Sequence, residues 1–335
     1  MRKGICVAGN MIVDIHYPIE GWPNQGELVH IKDGISRSTG GAVNNVVVDL
    51  AKLDPELPLY AMGKIGEDAE GDLIMETLGR YPNIDTANVL RDGISAFTHV
   101  MADVRNKQRT FFTYLGANGR FCEADIDWDK VPANIFHIGY ILLLNALDEP
   151  DDEYGSRMAR LLHTAQLHGL KTSIDVVSEA SDRFKRLVPP AMKYTDYCII
   201  NEYEAEQTTG VKLRGEKGEL LTENLPEALH AMKRMGVSTW AVIHCPEGGY
   251  GLDEKDNYIS LSSLKLPEDY IAGSVGAGDA FCAGVLYGAE KGYPLDKAID
   301  LGIAAAAASL SAPGATDGMC TVGEAMKLFD RFGRR

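Results

Sequence analysis

Residues 273 to 288 read GSVGAGDAFCAGVLYG. A glycine turn, Gly276-Ala277-Gly278, is followed by Asp279 and by small apolar residues at helical spacing (Ala280, Phe281, Ala283, Gly284, Leu286, Tyr287). The pattern predicts a loop feeding a helix N-terminus, where unpaired amides and the positive end of the helix dipole suit an anion. Glycine lets the backbone approach that anion closely. Asp279, in the first turn, either caps the helix or takes a proton from a bound molecule, and the local pattern leaves both open. A second glycine cluster, Thr39-Gly40-Gly41-Ala42-Val43-Asn44-Asn45, runs into VVVDLAKL, which Asp54-Pro55 ends. Paired glycines before a helix imply a close approach to a ligand or a tight turn. Asp14 follows the apolar strand Ile5 to Ala8. In a parallel sheet the carboxyl ends of strands face ligands, so Asp14 either touches one or stabilises a turn.

These residues need a frame to hold them. Further strands are predicted at Leu59 to Met62, Ile135 to Ile138, Thr172 to Val176, Tyr197 to Ile200 and Trp240 to His244. Helices are predicted at Asp68 to Leu78, Asp152 to His168, Asp182 to Lys193, Glu202 to Thr208, Pro226 to Met235 and, rich in alanine, Leu295 to Leu310. Strands alternating with helices argue for a mainly parallel sheet covered on both faces. The Ala304 to Ala308 run suits close packing against another helix or an adenine ring. Gly248-Gly249-Tyr250-Gly251 reads as a hairpin-type turn.

Two stretches break this rhythm. The Pro/Gly-punctuated segment from Tyr17 to Ser36, and an alternating hairpin with arms Ser95 to Val100 and Thr110 to Tyr114 that turns near Arg105-Asn106-Lys107, predict a small extra sheet. It is expected to act as a lid over one face, built from about 12–36 and 92–116. Its aromatics (Phe97, Phe111, Phe112, Tyr114) serve as ligand contacts, core packing or a subunit interface.

The 335 residues allow one large α/β domain or two smaller ones. A net charge of −15 disfavours nucleic acid or an anionic membrane as partner. An anionic substrate then needs a local cradle, which the Gly276 turn offers. Neither the N-terminus nor the apolar run near Ile135 to Leu147 has the length of a secretion signal or a bilayer span. Six scattered cysteines show neither disulfide nor metal spacing, which points to reduced thiols and a cytoplasmic location.

Three stretches together resemble the ribokinase-like (PfkB) family of carbohydrate and nucleoside kinases. They are Gly40-Gly41-Ala42-Val43-Asn44-Asn45, the N-x-x-E run Asn201-Glu202-Tyr203-Glu204, and the G-A-G-D run Gly276-Ala277-Gly278-Asp279. Asp14, Pro23 to Glu27, Gly116-Ala117-Asn118 and Pro313-Gly314-Ala315 support the match, which covers the chain in order.

The resemblance implies a three-layer α/β/α fold spanning residues 1–335 with a β lid. It implies an ATP-dependent sugar kinase in which Gly276, Ala277 and Gly278 cradle the phosphate and Asp279 is the general base. Asn201 and Glu204 would hold Mg²⁺, partly through water. Asp14, Gly40, Gly41 and Asn45 would bind acceptor hydroxyls, and Gly249 and Gly251 are expected on the nucleotide side. Asn201 and Glu204 also read as a reciprocal helix cap, which is compatible with metal support. The alternatives are a nucleoside kinase of the same family, with Phe111, Phe112 or Tyr114 stacking on a base, and a non-catalytic sugar sensor, against which Asp279 stands. A lid-to-lid homodimer is also implied, since strand edges invite pairing. Two departures stand out. Gly273 and Ser274 replace the family's Asp-Thr, so a monovalent cation such as K⁺ is not implied. His244-Cys245-Pro246 replaces the usual Thr and early Gly of the adenine-side turn. No P-loop or dinucleotide signature is present.

Overall fold

The computed structural model describes residues 2–106, 108–179 and 182–335. In chain order the elements are β1 (Ile5–Gly9), β2 (Ile12–Ile19), β3 (Ser36–Gly40), α1 (Gly41–Leu53), β4 (Leu59–Ile65), α2 (Ala69–Gly79), β5 (Ile84–Arg91), β6 (Ala96–Asp103), β7 (Arg109–Tyr114) and β8 (Ile135–Ile141). There follow α3 (Arg157–Leu167), β9 (Lys171–Val176), α4 (Phe184–Met192), β10 (Tyr197–Asn201), α5 (Glu202–Thr209), α6 (Leu225–Met235), β11 (Trp240–Cys245), β12 (Gly248–Leu252) and β13 (Tyr258–Ser262). The chain ends in α7 (Ala277–Glu290), α8 (Leu295–Ser309), α9 (Val322–Met326) and α10 (Leu328–Phe332).

Nine strands form one sheet in the order β13-β12-β11-β10-β9-β8-β1-β4-β5. The pairings from β5 across to β11 are parallel, and β12 runs antiparallel to both its neighbours. β1 is buried at every residue, as expected of a strand covered on both faces. Its side chains alternate between two cores. Ile5 and Val7 join α1, α2, α7 and α8 on one face, whereas Cys6 and Ala8 join α3, α4, α5 and α6 on the other. The result is the three-layer α/β/α arrangement that the alternating pattern predicts. Among the described residues no helix is long and apolar enough to cross a membrane.

A separate four-stranded sheet has the order β3-β2-β6-β7. It draws on the two stretches that break the α/β rhythm, and it extends past position 36 to Gly40. Thus Asp14 lies within β2, opposite Ser38 and Thr98, rather than in a turn after β1. The β6–β7 turn was expected near 105–107, and Lys107 is outside the described residues. Asp68 ties the small sheet to the main body: it caps α2 through the Gly71 amide and accepts from the Ser95 amide and hydroxyl.

Some predicted bounds shift for local reasons. The Asp152 helix begins only at Arg157, where Ser156 caps the Ala159 amide. Before it, Asp151 takes the Glu153 and Tyr154 amides into a turn of its own. The Gly248–Gly251 stretch is not a turn but strand β12. Glycine is needed there because α7 and α8 press on the strand. A Cβ on Gly249 would sit 2.6 Å from Ile299 Cγ2 and 3.0 Å from Phe281 Cζ, and one on Gly251 would sit 3.0 Å from Leu295 Cδ2. α7 and α8 touch backbone to backbone: a Cβ on Gly284 would lie 2.7 Å from Gly302 Cα.

Candidate active site

Gly276 opens α7 with φ +78°, a left-handed conformation that suits glycine. A side chain there would strike the Ala315 backbone at 2.5 Å. Ala277, Gly278 and Asp279 form the first turn, so their amides lack intrahelical partners. Asp279 is 5% exposed and faces a polar cavity. Its Oδ2 accepts from Asn45 Nδ2 at 2.8 Å, and the Tyr140 hydroxyl donates to Oδ1 at 2.7 Å and Oδ2 at 2.8 Å. Burial lifts its pKa to about 6, against the pull of those two donors. Among the described residues its carboxyl accepts nothing from the amides of its own turn, which is not how a cap behaves.

Two cavities meet here. One, of about 270 Å³, is lined by Tyr140, Asp175, Ser178, Asn201, Glu204, His244, Gly276, Gly278 and Asp279. The other, of about 500 Å³, is mostly apolar, with Pro246, Gly248, Leu264, Ile271, Phe281, Ile303, Ala306 and Ala307 in its wall. Asn201, His244 and Gly278 belong to both, so the start of α7 stands where they join. His244 stacks on Phe281, with centroids 4.8 Å apart, and burial drops its pKa to about 4, which leaves the ring neutral. Helix α8 packs on α7, and its Ala306 and Ala307 face the apolar cavity.

Asn201 and Glu204 form the reciprocal cap expected of them. Glu204 donates its amide to Asn201 Oδ1, and Glu204 Oε2 accepts the Asn201 amide. Ser178 Oγ donates to Glu204 Oε1 at 2.7 Å. Asp175, at the end of β9, faces the same cavity; burial first, then Glu204 and Asp279, push its carboxyl well above the usual range. Glu204 rises to about 7, chiefly through burial. Acids crowded in this way call for a cation. The donors are all oxygen, as Mg²⁺ prefers, and few enough for the ion to keep waters. Among the described residues no three His, Cys, Asp or Glu side chains cage an ion unaided.

The glycine pair Gly40-Gly41 opens α1. A Cβ on Gly40 would be 2.8 Å from Asp14 Oδ2, and one on Gly41 would be 2.4 Å from Asn10 Oδ1, at φ +85°. The glycines thus admit Asp14 and Asn10 to the helix start, five residues before Asn45 reaches Asp279. Burial raises the Asp14 carboxyl, opposed by His16, Thr98 and Arg109. Asp14 lines neither cavity; it joins the site through the start of α1. Gly249 and Gly251 do not join it. They are sealed between β12 and the helices, and Gly248 faces the apolar cavity instead. Tyr140 and Asp175 escaped the sequence reading because each is a single residue at a strand end, with no spacing to mark it.

The family model described as pfkB family carbohydrate kinase matches residues 2–321. Ribokinase of Arabidopsis thaliana is 22% identical over 97% of this chain and 80% of its own length. Its structure, complexed with ribose and ATP, superposes with a TM-score of 0.81 over 98% of this chain and 99% of that one. Adenosine kinase of Schizosaccharomyces pombe is 23% identical over 80% of this chain and 78% of its own length. The chain belongs to the pfkB family of carbohydrate kinases and is a phosphotransferase that acts on an alcohol group.

Proposed function

We propose that this chain transfers the γ-phosphoryl group of ATP to a hydroxyl of a small sugar. The observation that carries the reading is the position of Asp279 and the α7 amides at the junction of an apolar and a polar cavity. The adenine ring lies in the apolar cavity against Phe281, Ala306 and Ala307, and the phosphates run past His244 to the Gly276–Gly278 amides. Asp14, Gly40, Gly41 and Asn45 hold the acceptor. Asp279 accepts the hydroxyl proton as the oxygen attacks the γ-phosphorus; the bond to the β–γ bridging oxygen breaks, and ADP leaves. The amides of Ala277 and Gly278 donate to the charge that develops on the transferring group. Asn201 and Glu204, with Asp175 facing the same cavity, would hold Mg²⁺, partly through water, which would supply neutralisation of phosphate charge.

The Arabidopsis relative, described as holding ribose and ATP, supports a sugar acceptor. The similarity to an adenosine kinase supports the second reading, a nucleoside acceptor with its base against the exposed Phe111, Phe112 or Tyr114 of β7. The small sheet acts as a lid and joins two chains into a homodimer, which fits its exposed aromatics, and the protein works in the cytoplasm, which fits its six free thiols. Release of ADP from ATP and Mg²⁺ across a panel of sugars and nucleosides tests the assignment. Turnover of a pentose or hexose is expected. Turnover of nucleosides alone selects the second reading, and a silent panel overturns both.

A further inference from the structure

Asp49 lies on α1 one helical turn beyond Asn45, whose amide holds Asp279. It is fully buried, and neither of its carboxyl oxygens has a hydrogen-bond partner. Asn45 Oδ1 is buried and orphaned in the same way. It feels the charges of Asp279 on α7 and Lys52 on its own helix, and its own charge reaches Cys282 on α7 and Tyr81 beyond α2. Lys52 Nζ, however, donates to the Thr316 carbonyl. An ionised carboxylate there would be without a donor and next to a second acid. Burial and the Asp279 charge both push its pKa well up.

A neutral carboxylic acid has one O–H to place. Helical side chains lean back over the preceding turn, which is where Asn45 stands, four residues before Asp49 on α1. One bond between them satisfies two buried groups that otherwise have nothing. We propose that Asp49 is kept as the neutral acid and donates to Asn45 Oδ1, which fixes the Asn45 carboxamide with its NH₂ toward Asp279. Asp49 is then a positioning residue for the base, and this role rests on the reading of Asp279 given above. A carboxamide turned over would set oxygen against oxygen and take a donor from Asp279.

Selective ¹³C labelling of aspartate carboxyls reads both acids in the intact chain without any substrate. The signals are assigned by their loss in Asp279→Asn and Asp49→Asn. The Asp49 signal is expected at the neutral-acid position throughout pH 5 to 8. Asp279 should titrate near 6 in the wild type and stay there in Asp49→Asn, whose amide restores a donor. In Asp49→Ala the midpoint should move up by about half a pH unit or more. An ionised Asp49 predicts the opposite, since removing a like charge lowers the Asp279 midpoint in both variants. That fall, an unmoved midpoint in Asp49→Ala, or an ionised Asp49 signal at pH 7 overturns the proposal. Should Asp49→Ala fail to fold, the wild-type signal and Asp49→Asn still decide. A silent substrate panel with these titrations intact would overturn the kinase assignment and not the Asp49–Asn45 bond.

Discussion

The Tyr140 hydroxyl donates to both carboxyl oxygens of Asp279, at 2.7 and 2.8 Å. It favours the charged carboxylate, whereas burial lifts the group to about 6. A base must be ionised to accept a proton, so kcat/KM should fall as pH drops through about 6. In Tyr140→Phe the donor is gone and the acid limb should move up by about one pH unit, the scale of one hydrogen bond to a charge. The pH–rate profile measures this, and a limb that stays in place counts against Asp279 as the titrating group.

Replacing Asp279 by Asn should lower turnover by about 10²–10⁴-fold, the usual contribution of a general base, with nucleotide affinity largely kept. Stability should move the other way. A carboxyl that is near 3.8 unfolded and about 6 folded is stabilising in its protonated form. That benefit is lost as pH rises through 6, on the order of 2–3 kcal/mol. Asp279→Asn should therefore melt above the wild type at pH 8, and the gap should close between pH 6 and 4. Parallel thermal melts of both proteins check it.

Glu204→Gln keeps the size of the side chain and removes its charge. The Mg²⁺ concentration for half-maximal rate should rise by about tenfold or more, with a smaller effect on the acceptor KM. Titration of activity with Mg²⁺ at fixed ATP separates the two, and an unchanged Mg²⁺ requirement would leave Glu204 a helix cap and nothing more.

Trp22 and Phe112 stack in the open on the small sheet, with ring centroids 6.1 Å apart, and each is about half exposed. Light scattering should give the mass of two chains. Phe112→Glu, which puts a charge into the shared face, should give one.

Gly284→Val tests the helix pair behind the site. The new side chain would meet the Gly302 backbone at 2.7 Å, and backbone cannot step aside cheaply. A loss of about 1–3 kcal/mol on denaturant unfolding is expected.

Much of this architecture was legible in the residues, because parallel strands such as Ile5–Gly9 and Tyr197–Asn201 are buried almost throughout, the second ending at the capping residue Asn201. The candidate site was legible as runs of residues, Gly276–Asp279 and Asn201–Glu204, which the fold brings to one cavity. It was opaque where contact is made across the fold. Tyr140 lies 139 positions from Asp279, and no spacing joins them. Glycine misled at Gly249 and Gly251. A bare backbone is wanted equally by a turn, by a ligand and by a helix pressing on a strand, and only packing tells these apart. Asp49, within an apolar helix stripe, gave no signal until its partners could be counted.

The bare contact of Gly284 with Gly302 has a mechanical consequence. With no side chains between them to slide or repack, the helix that Gly276 opens is clamped to its neighbour like a beam set in a wall. Under the proposed lid role, closure around the reactants falls to the strands that carry Asp14, which would swing toward an anvil that does not yield.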